Sequence, residues 1–193
     1  MRYIFFIMLS LIGTQGLCQV EFGQELSAAA ISIINPAIVY DPAYTSISYP
    51  NGDVAADRGV CTDIVIRAYR KLGIDLQKEV HEDMKANFNL YPNNWGLSKT
   101  DKNIDHRRVP NLMTFFSRKG VEKPLNSNAA DYLPGDIVCW DLGGGITHIG
   151  IVVKKKTVDF QRFLVVHNIG GGQVAEDILF NYKMIGHYAY PAD

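Results

Sequence analysis

Cysteine is scarce: the 193 residues hold three, and one of them, Cys18, sits in an apolar N-terminal stretch. The other two, Cys61 and Cys139, could pair in an exported protein. Their surroundings argue against it. Cys139 lies in the strand-like run "GDIVCWD", where a small apolar side chain suffices, and reads as a packed thiol. Excess charge of either sign is also missing. Nineteen Lys and Arg against twenty Asp and Glu leave a net charge of −1, which excludes the basic surface that nucleic-acid binding requires. No apolar run reaches the roughly 20 residues of a membrane span. There is no internal repeat and no low-complexity tract.

The first eighteen residues, MRYIFFIMLSLIGTQGLC, have the form of a secretory signal. Arg2 gives the positive start, Tyr3 to Ile12 the apolar stretch, and Gly16 and Cys18 the small residues of a cleavage site. Cleavage after Cys18 makes Gln19 the mature N-terminus. A lipid anchor on Cys18 fits less well, because Leu17 is bulky and Gln15 polar where such a signal wants small and aliphatic residues. The expected organisation is a signal peptide over 1–18 and one domain over 19–193, exported to the periplasm or beyond. Its 175 residues are enough for a full core.

Along the mature chain, helices come first. "GQELSAAAISIINP" is helical to about Ile34, where Pro36 blocks continuation. "SYPNGDVAADRG" is turn chemistry. In "CTDIVIRAYRKLG", Ile64, Val65, Ala68, Tyr69 and Leu72 share one helical face, and Gly73 is a natural stop. Residues 77–108 read as a long polar and aromatic stretch with a short helical start, and "VPNLMTFFSRKG" as a further helix. After "YLPGD" the pattern turns to short β-rich runs: "DIVCW", "HIGIVV", "RFLVVHNI" and "GHYAY". Helices followed by an antiparallel sheet is an α+β order.

Chemistry concentrates at Cys61. It opens a helix, where unpaired backbone N–H groups favour a thiolate and can hold an oxyanion. This predicts a lowered thiol pKa. Of five histidines, His148 begins an apolar strand after a glycine turn, and His167 ends another. If those strands are antiparallel neighbours, the two rings meet, giving nucleophile, base and orienting group. Adjacent strand residues face opposite ways, so either His167 or Asn168 can point at His148, not both.

The order of a helix-start Cys61, then Pro134-Gly135-Asp136, then His148-Ile149-Gly150-Ile151, then "VVHNIGG" resembles the NlpC-type branch of papain-like cysteine peptidases, which are cell-wall amidases and endopeptidases. The wording "GVCTDIVIRAYRKLGIDLQ", "NIDHRRVPNL" and "DLGGGITHIGIV" is similar to a bacterial branch classed as a domain of unknown function. The likeness spans about residues 38 to 190. The resemblance implies a papain-like NlpC-type fold, with the nucleophile helix packed on an antiparallel sheet. It implies Cys61 as nucleophile, His148 as base and His167 as the third member, acting on peptidoglycan or muropeptides without metal or organic cofactor. One departure stands out. The family's Asp-Cys-Ser or Asp-Cys-Gly is replaced by Val60-Cys61-Thr62, with Asp63 either taking over the local hydrogen bonding or serving as a helix N-terminal charge.

Plainer readings compete at each position. Cys61 could be a structural thiol. His106 and Arg107, in "NIDHRRVPN", are either a solvated loop or substrate contacts, with an arginine holding a stem-peptide carboxylate. Tyr44 or Tyr49 could add an oxyanion donor. His81-Glu82-Asp83 is a solvent face more readily than a metal site, and Trp95, Tyr91 and Trp140 are packing residues. The functional expectation is an exported cysteine hydrolase cutting a stem-peptide amide, with Asp63, His106, Arg107 and Tyr49 as substrate-side candidates. A catalytically silent wall-peptide-binding module, or an acyltransferase using the same thioester, are the alternatives.

Overall fold

The computed structural model describes residues 8–191, with side chains from residue 19 onward; residues 1–7 of the expected signal lie outside the described residues. Helix α1 (Met8–Ser32) runs through the expected cut after Cys18 and stops before Pro36, as the proline dictates. Strands β1 (Val39–Tyr40) and β2 (Arg58–Gly59) form a short parallel pair. Helix α2 (Cys61–Lys71) follows at once. Helix α3 (Leu76–Ala86) is capped by Asp75, whose side chain accepts from Lys78 N–H at 3.2 Å. It replaces much of the expected irregular stretch. Its buried residues, Leu76, Gln77, Val80, Asp83 and Met84, mix polar with apolar groups, which hid the helical period. Helix α4 (Val109–Lys119) carries Pro110 in its first turn, where no N–H is missed.

Six strands then make one antiparallel sheet in the order β3-β8-β4-β5-β6-β7. They are β3 (Val121–Glu122), β4 (Ile137–Asp141), β5 (Thr147–Lys156), β6 (Phe163–His167), β7 (Val174–Glu176) and β8 (Lys183–Ala189). The α+β expectation holds. The expected strands are β4, β5, β6 and β8; β3 and β7 are two and three residues long, too short to show an alternation.

Alternation sorts the sheet into two faces. Ile137, Cys139, Ile149, Ile151, Val153 and Val166 pack with Leu26, Ile64, Val65, Tyr69, Leu112 and Phe116 of the helices in the main core. Val138, Trp140, Val152 and Val165 face the other way, under Tyr132, Ile178 and Leu179. Each fully buried aliphatic side chain contributes about 1.5–3 kcal/mol relative to exposure, so the helix-facing layer dominates. Helix α1 is pinned to β5 by Ser27 Oγ, which accepts from Lys154 N–H at 2.8 Å.

The turn "PGD" is a fixing point. Gly135 has φ +94°, and a Cβ there would lie 2.3 Å from Gly23 Cα. Only glycine lets α1 lie this close. Asp136 accepts from Leu133 N–H, Lys123 Nζ and His187 Nε2 at 2.8, 2.5 and 2.8 Å.

Gly150 sets the spacing of β5 and β6 beside both strand histidines. A Cβ there would meet Val165 Cγ1 at 2.7 Å and Val166 O at 2.9 Å. Gly150→Ala is therefore expected to destabilise the fold by about 1–3 kcal/mol through overpacking, read as a lower urea midpoint at unchanged slope. A shift below about 0.5 kcal/mol, the usual size for a neutral surface change, contradicts the packing.

Candidate active site

Three segments fix the first turn of α2. Val60 is the residue before the helix, and its N–H donates to the Asp63 carboxylate at 2.7 Å. Val60 has no side-chain acceptor to return the favour, so this is half of a capping box. The Arg107 guanidinium donates to both Asp63 oxygens, at 2.9 and 3.0 Å, with both side chains almost wholly inaccessible. Thr62 Oγ1 donates to Arg107 O at 3.2 Å. Asp63 thus does both jobs open to it from the sequence: it caps the helix and organises the turn around Cys61.

Cys61 is 5 % exposed. Its sulfur lies near enough to the backbone N–H groups of Ile149 and Thr62, and to the Tyr40 hydroxyl, to feel their dipoles. The N–H donors favour a thiolate. Burial opposes them and wins, with Asp63 adding repulsion, and the thiol is pushed up to about 11. The expected lowering is overturned, because the helix-start amides act on a sulfur that water scarcely reaches. Burial likewise pushes the Tyr40 phenol up to about 12. Cys139 is buried, and neither thiol is in a disulfide. A cavity of about 210 Å3 opens over Cys61, lined among others by Tyr40, Trp95, Arg108 and Thr147.

The two strand histidines meet. His148 Nε2 and His167 Nδ1 are 3.1 Å apart, with the rings perpendicular, and His148 stacks on Trp140. His167, not Asn168, faces His148; Asn168 Nδ2 instead donates to Gly59 O at 3.4 Å, beside the nucleophile turn. His167 Nε2 lies 3.2 Å from the Glu176 carboxylate across β6 and β7. A carboxylate only accepts, so His167 Nε2 carries the proton. In neutral His167, Nδ1 is then an acceptor, and His148 Nε2 must donate to it. Neutral His148 is left with an unprotonated Nδ1, a base with its lone pair free. Burial first, and then the charge of His167, push His148 down to about 3, which keeps it neutral.

Among the described residues no hydrogen bond joins the Cys61 sulfur to an imidazole. The strand residue whose N–H the sulfur feels is Ile149, the one after His148. His148 itself alternates onto the face opposite Ile149.

The substrate-side candidates divide. Asp63 and Arg107 are at the nucleophile turn, but each consumes the other. Arg107 also donates weakly to Asp41 O and Ala43 O at 3.5 Å, so it has little left to hold a ligand. His106 is buried with Nδ1 unpartnered, is pushed down to about 3 by burial, and does not line the cavity. Tyr49 packs edge-on against His81, 5.2 Å between centroids, away from Cys61. The tyrosine at the sulfur is Tyr40. It gave no sequence signal, because the two-residue β1 that carries it is recognisable only through its pairing with β2. Glu176 was missed for a similar reason, on a three-residue strand.

A family model described as "Domain of unknown function (DUF1287)" matches residues 27–190. The chain is similar to "Uncharacterized protein YijF" of Escherichia coli (strain K12), 54 % identical over 174 residues, 89 % of this chain and 84 % of that one. No solved structure matches.

Two outcomes are expected from this geometry. Nitrogen-15 NMR of the imidazoles at pH 7 should find His148 protonated on Nε2 and bare on Nδ1, a pattern that Glu176→Gln loosens; a proton on Nδ1 contradicts the chain of donors. Asp63→Asn leaves Arg107 buried without its counter-charge and should cost about 3–5 kcal/mol in urea unfolding. A cost under about 1 kcal/mol, the range of exposed pairs, contradicts a buried pair.

Proposed function

The chain belongs to the DUF1287 family, and for it we propose an exported cysteine hydrolase that cuts an amide bond in the stem peptides of peptidoglycan. The papain-like, NlpC-type reading of the fold belongs to the same proposal. It is supported by a nucleophile helix on an antiparallel sheet, with the two histidines on the neighbouring strands β5 and β6. The peptidoglycan substrate and the export come from the sequence resemblance and the leader.

One observation carries the reading: the donors running from His148 through His167 to Glu176 leave His148 Nδ1 as a bare base, and the ring, which rests on the face opposite Ile149 and Cys61, has to turn at the strand start to reach the sulfur. In the reaction, His148 Nδ1 takes the thiol proton as sulfur bonds to the substrate's carbonyl carbon. The Cys61 N–H at the helix start and the Tyr40 hydroxyl beside the cavity are the donors available to the oxyanion. The imidazolium gives its proton to the leaving nitrogen, and the C–N bond breaks. Water, deprotonated by His148, then attacks the thioester and releases a carboxylic acid and the thiol. His167 and Glu176 hold the ring and its tautomer. Catalytic hydrogen bonds that are long or misaligned at rest tighten with substrate; here the reading requires more, a turn of the His148 ring toward the sulfur when substrate binds.

The buried thiol and its missing imidazole contact favour a second reading, a module that binds wall peptides without cutting them. An acyl transfer from the same thioester to an amine is the third. Incubation with purified muropeptides, read by mass spectrometry, separates them. Hydrolysis yields a new amine and a new acid, transfer yields an exchanged amide, and a binder leaves the masses unchanged. Hydrolysis is expected, abolished in Cys61→Ala and lowered at least 100-fold in His148→Ala, in line with general-base contributions of roughly 10²–10⁴. The base must be neutral to act, and protonation comes on lowering the pH. With His148 near 3, kcat/KM should hold steady on the acid side from pH 8 to 5. Unchanged masses across several wall types would overturn the hydrolase.

A further inference from the structure

We propose that Arg108 recognises a carboxylate on the ligand that crosses Cys61, with Trp95 as the platform that presents its guanidinium. The proposal deepens the hydrolase reading by naming what the substrate must carry, and its binding arm stands without turnover.

The arginines around the nucleophile turn are spoken for, with this exception. Arg107 is taken by Asp63, Arg58 by Asp41 at 2.8 Å, and Arg67 and Arg70 by Asp53 at 3.0 and 2.7 Å. Arg108 makes no hydrogen bond and no ion pair through its guanidinium among the described residues. Its guanidinium carbon lies 4.0 Å from the Trp95 ring centroid, and its Nη1 is closed to solvent and unpartnered. Asp105 and Asp101 are near enough to be felt, but neither bonds it. A buried N–H without a partner is costly, and its residue, Arg108, lines the cavity that also holds Cys61. The same Arg108 and Trp95 also line a second cavity of about 230 Å3, together with Leu97 and Tyr91. The pair thus borders both the Cys61 cleft and this further space.

The chemistry of the missing partner follows from the stacking. Trp95 occupies a face of the guanidinium, which leaves its edges for a ligand. Those edges carry a planar fork of donors that matches a carboxylate in two parallel bonds. The nucleophile's neighbour Arg107 was the sequence-level candidate for this task; Arg108, one residue on and facing the cleft, is the arginine with donors to spare.

The test uses the full-length protein and one purified muropeptide in two forms, stem carboxylates free or converted to primary amides. Turnover of both is followed by mass spectrometry, and binding of both to Cys61→Ala by calorimetry. The wild type should favour the acid over the amide by roughly 10- to 100-fold, the size of a charge-assisted pair. Arg108→Gln should erase that preference by raising KM for the acid, with kcat and the amide form changed less than about threefold; Arg108→Lys should restore part of it. Arg108→Gln must keep the wild-type urea midpoint within the small range of surface changes, and the Lys variant is the reference if it does not. In the Cys61→Ala background, Arg108-dependent preference for the acid without any turnover in the wild type sustains this proposal and removes the hydrolase. Turnover with equal rates on acid and amide, or a preference that survives in both Arg108 variants, overturns this proposal and leaves the hydrolase standing. Binding of neither form by Cys61→Ala overturns it as well.

Discussion

Two buried side chains, Asp63 and Arg107, hold the turn that carries Cys61 together. Each would be costly alone in that environment, and each satisfies the other in a bidentate pair. Through Asp63 the pair reaches Val60 N–H, and through the Arg107 carbonyl it reaches Thr62. The residues on both sides of Cys61 are thereby tied to one distant turn. The sulfur has little freedom left beside Ile149 N–H and the Tyr40 hydroxyl, whose influence it feels. A pair of this kind adds little net stability over apolar packing. Its value here is positional.

Opposed electrostatic effects meet at the sulfur, and magnitude decides between them. Three backbone N–H groups would suit an anion, yet desolvation outweighs them and the resting thiol keeps its proton. The imidazole at 148 is under the same pressure and stays neutral. Both groups at rest are uncharged. The proton order along Glu176, His167 and His148 is a property of the hydrogen bonds themselves, since a carboxylate at one end dictates which nitrogen is bare at the other.

Much of this was legible in the residues. Strong helical period in 61–71 and strong alternation in 147–153 placed the nucleophile helix and the central strands. Antiparallel neighbours then brought His148 to His167, and the opposite sense of adjacent strand residues sent Asn168 elsewhere. What stayed hidden depends on pairing between distant short segments. Tyr40 and Glu176 sit on strands of two and three residues, where no alternation can register. Helix α3 buries Gln77 and Asp83, so its polar residues disguised its face. The thiol's elevated pKa was misjudged because burial is a tertiary property: the helix start was visible, and the wall of side chains over it was not. Arg107 and Arg108 are chemically alike in the sequence and differ only in what the fold puts beside them.

The enzymatic account requires the sulfur of Cys61 and the bare nitrogen of His148 to come within a few ångströms of each other. A short bifunctional alkylator, 1,3-dibromoacetone, measures that directly, at mildly alkaline pH to draw out the buried thiol. Peptide mapping of the product should find a three-carbon bridge between residues 61 and 148, absent in His148→Ala. Alkylation that stops at Cys61 with its second arm hydrolysed, or that bridges Cys61 to another residue, would contradict the proposed nucleophile–base pair.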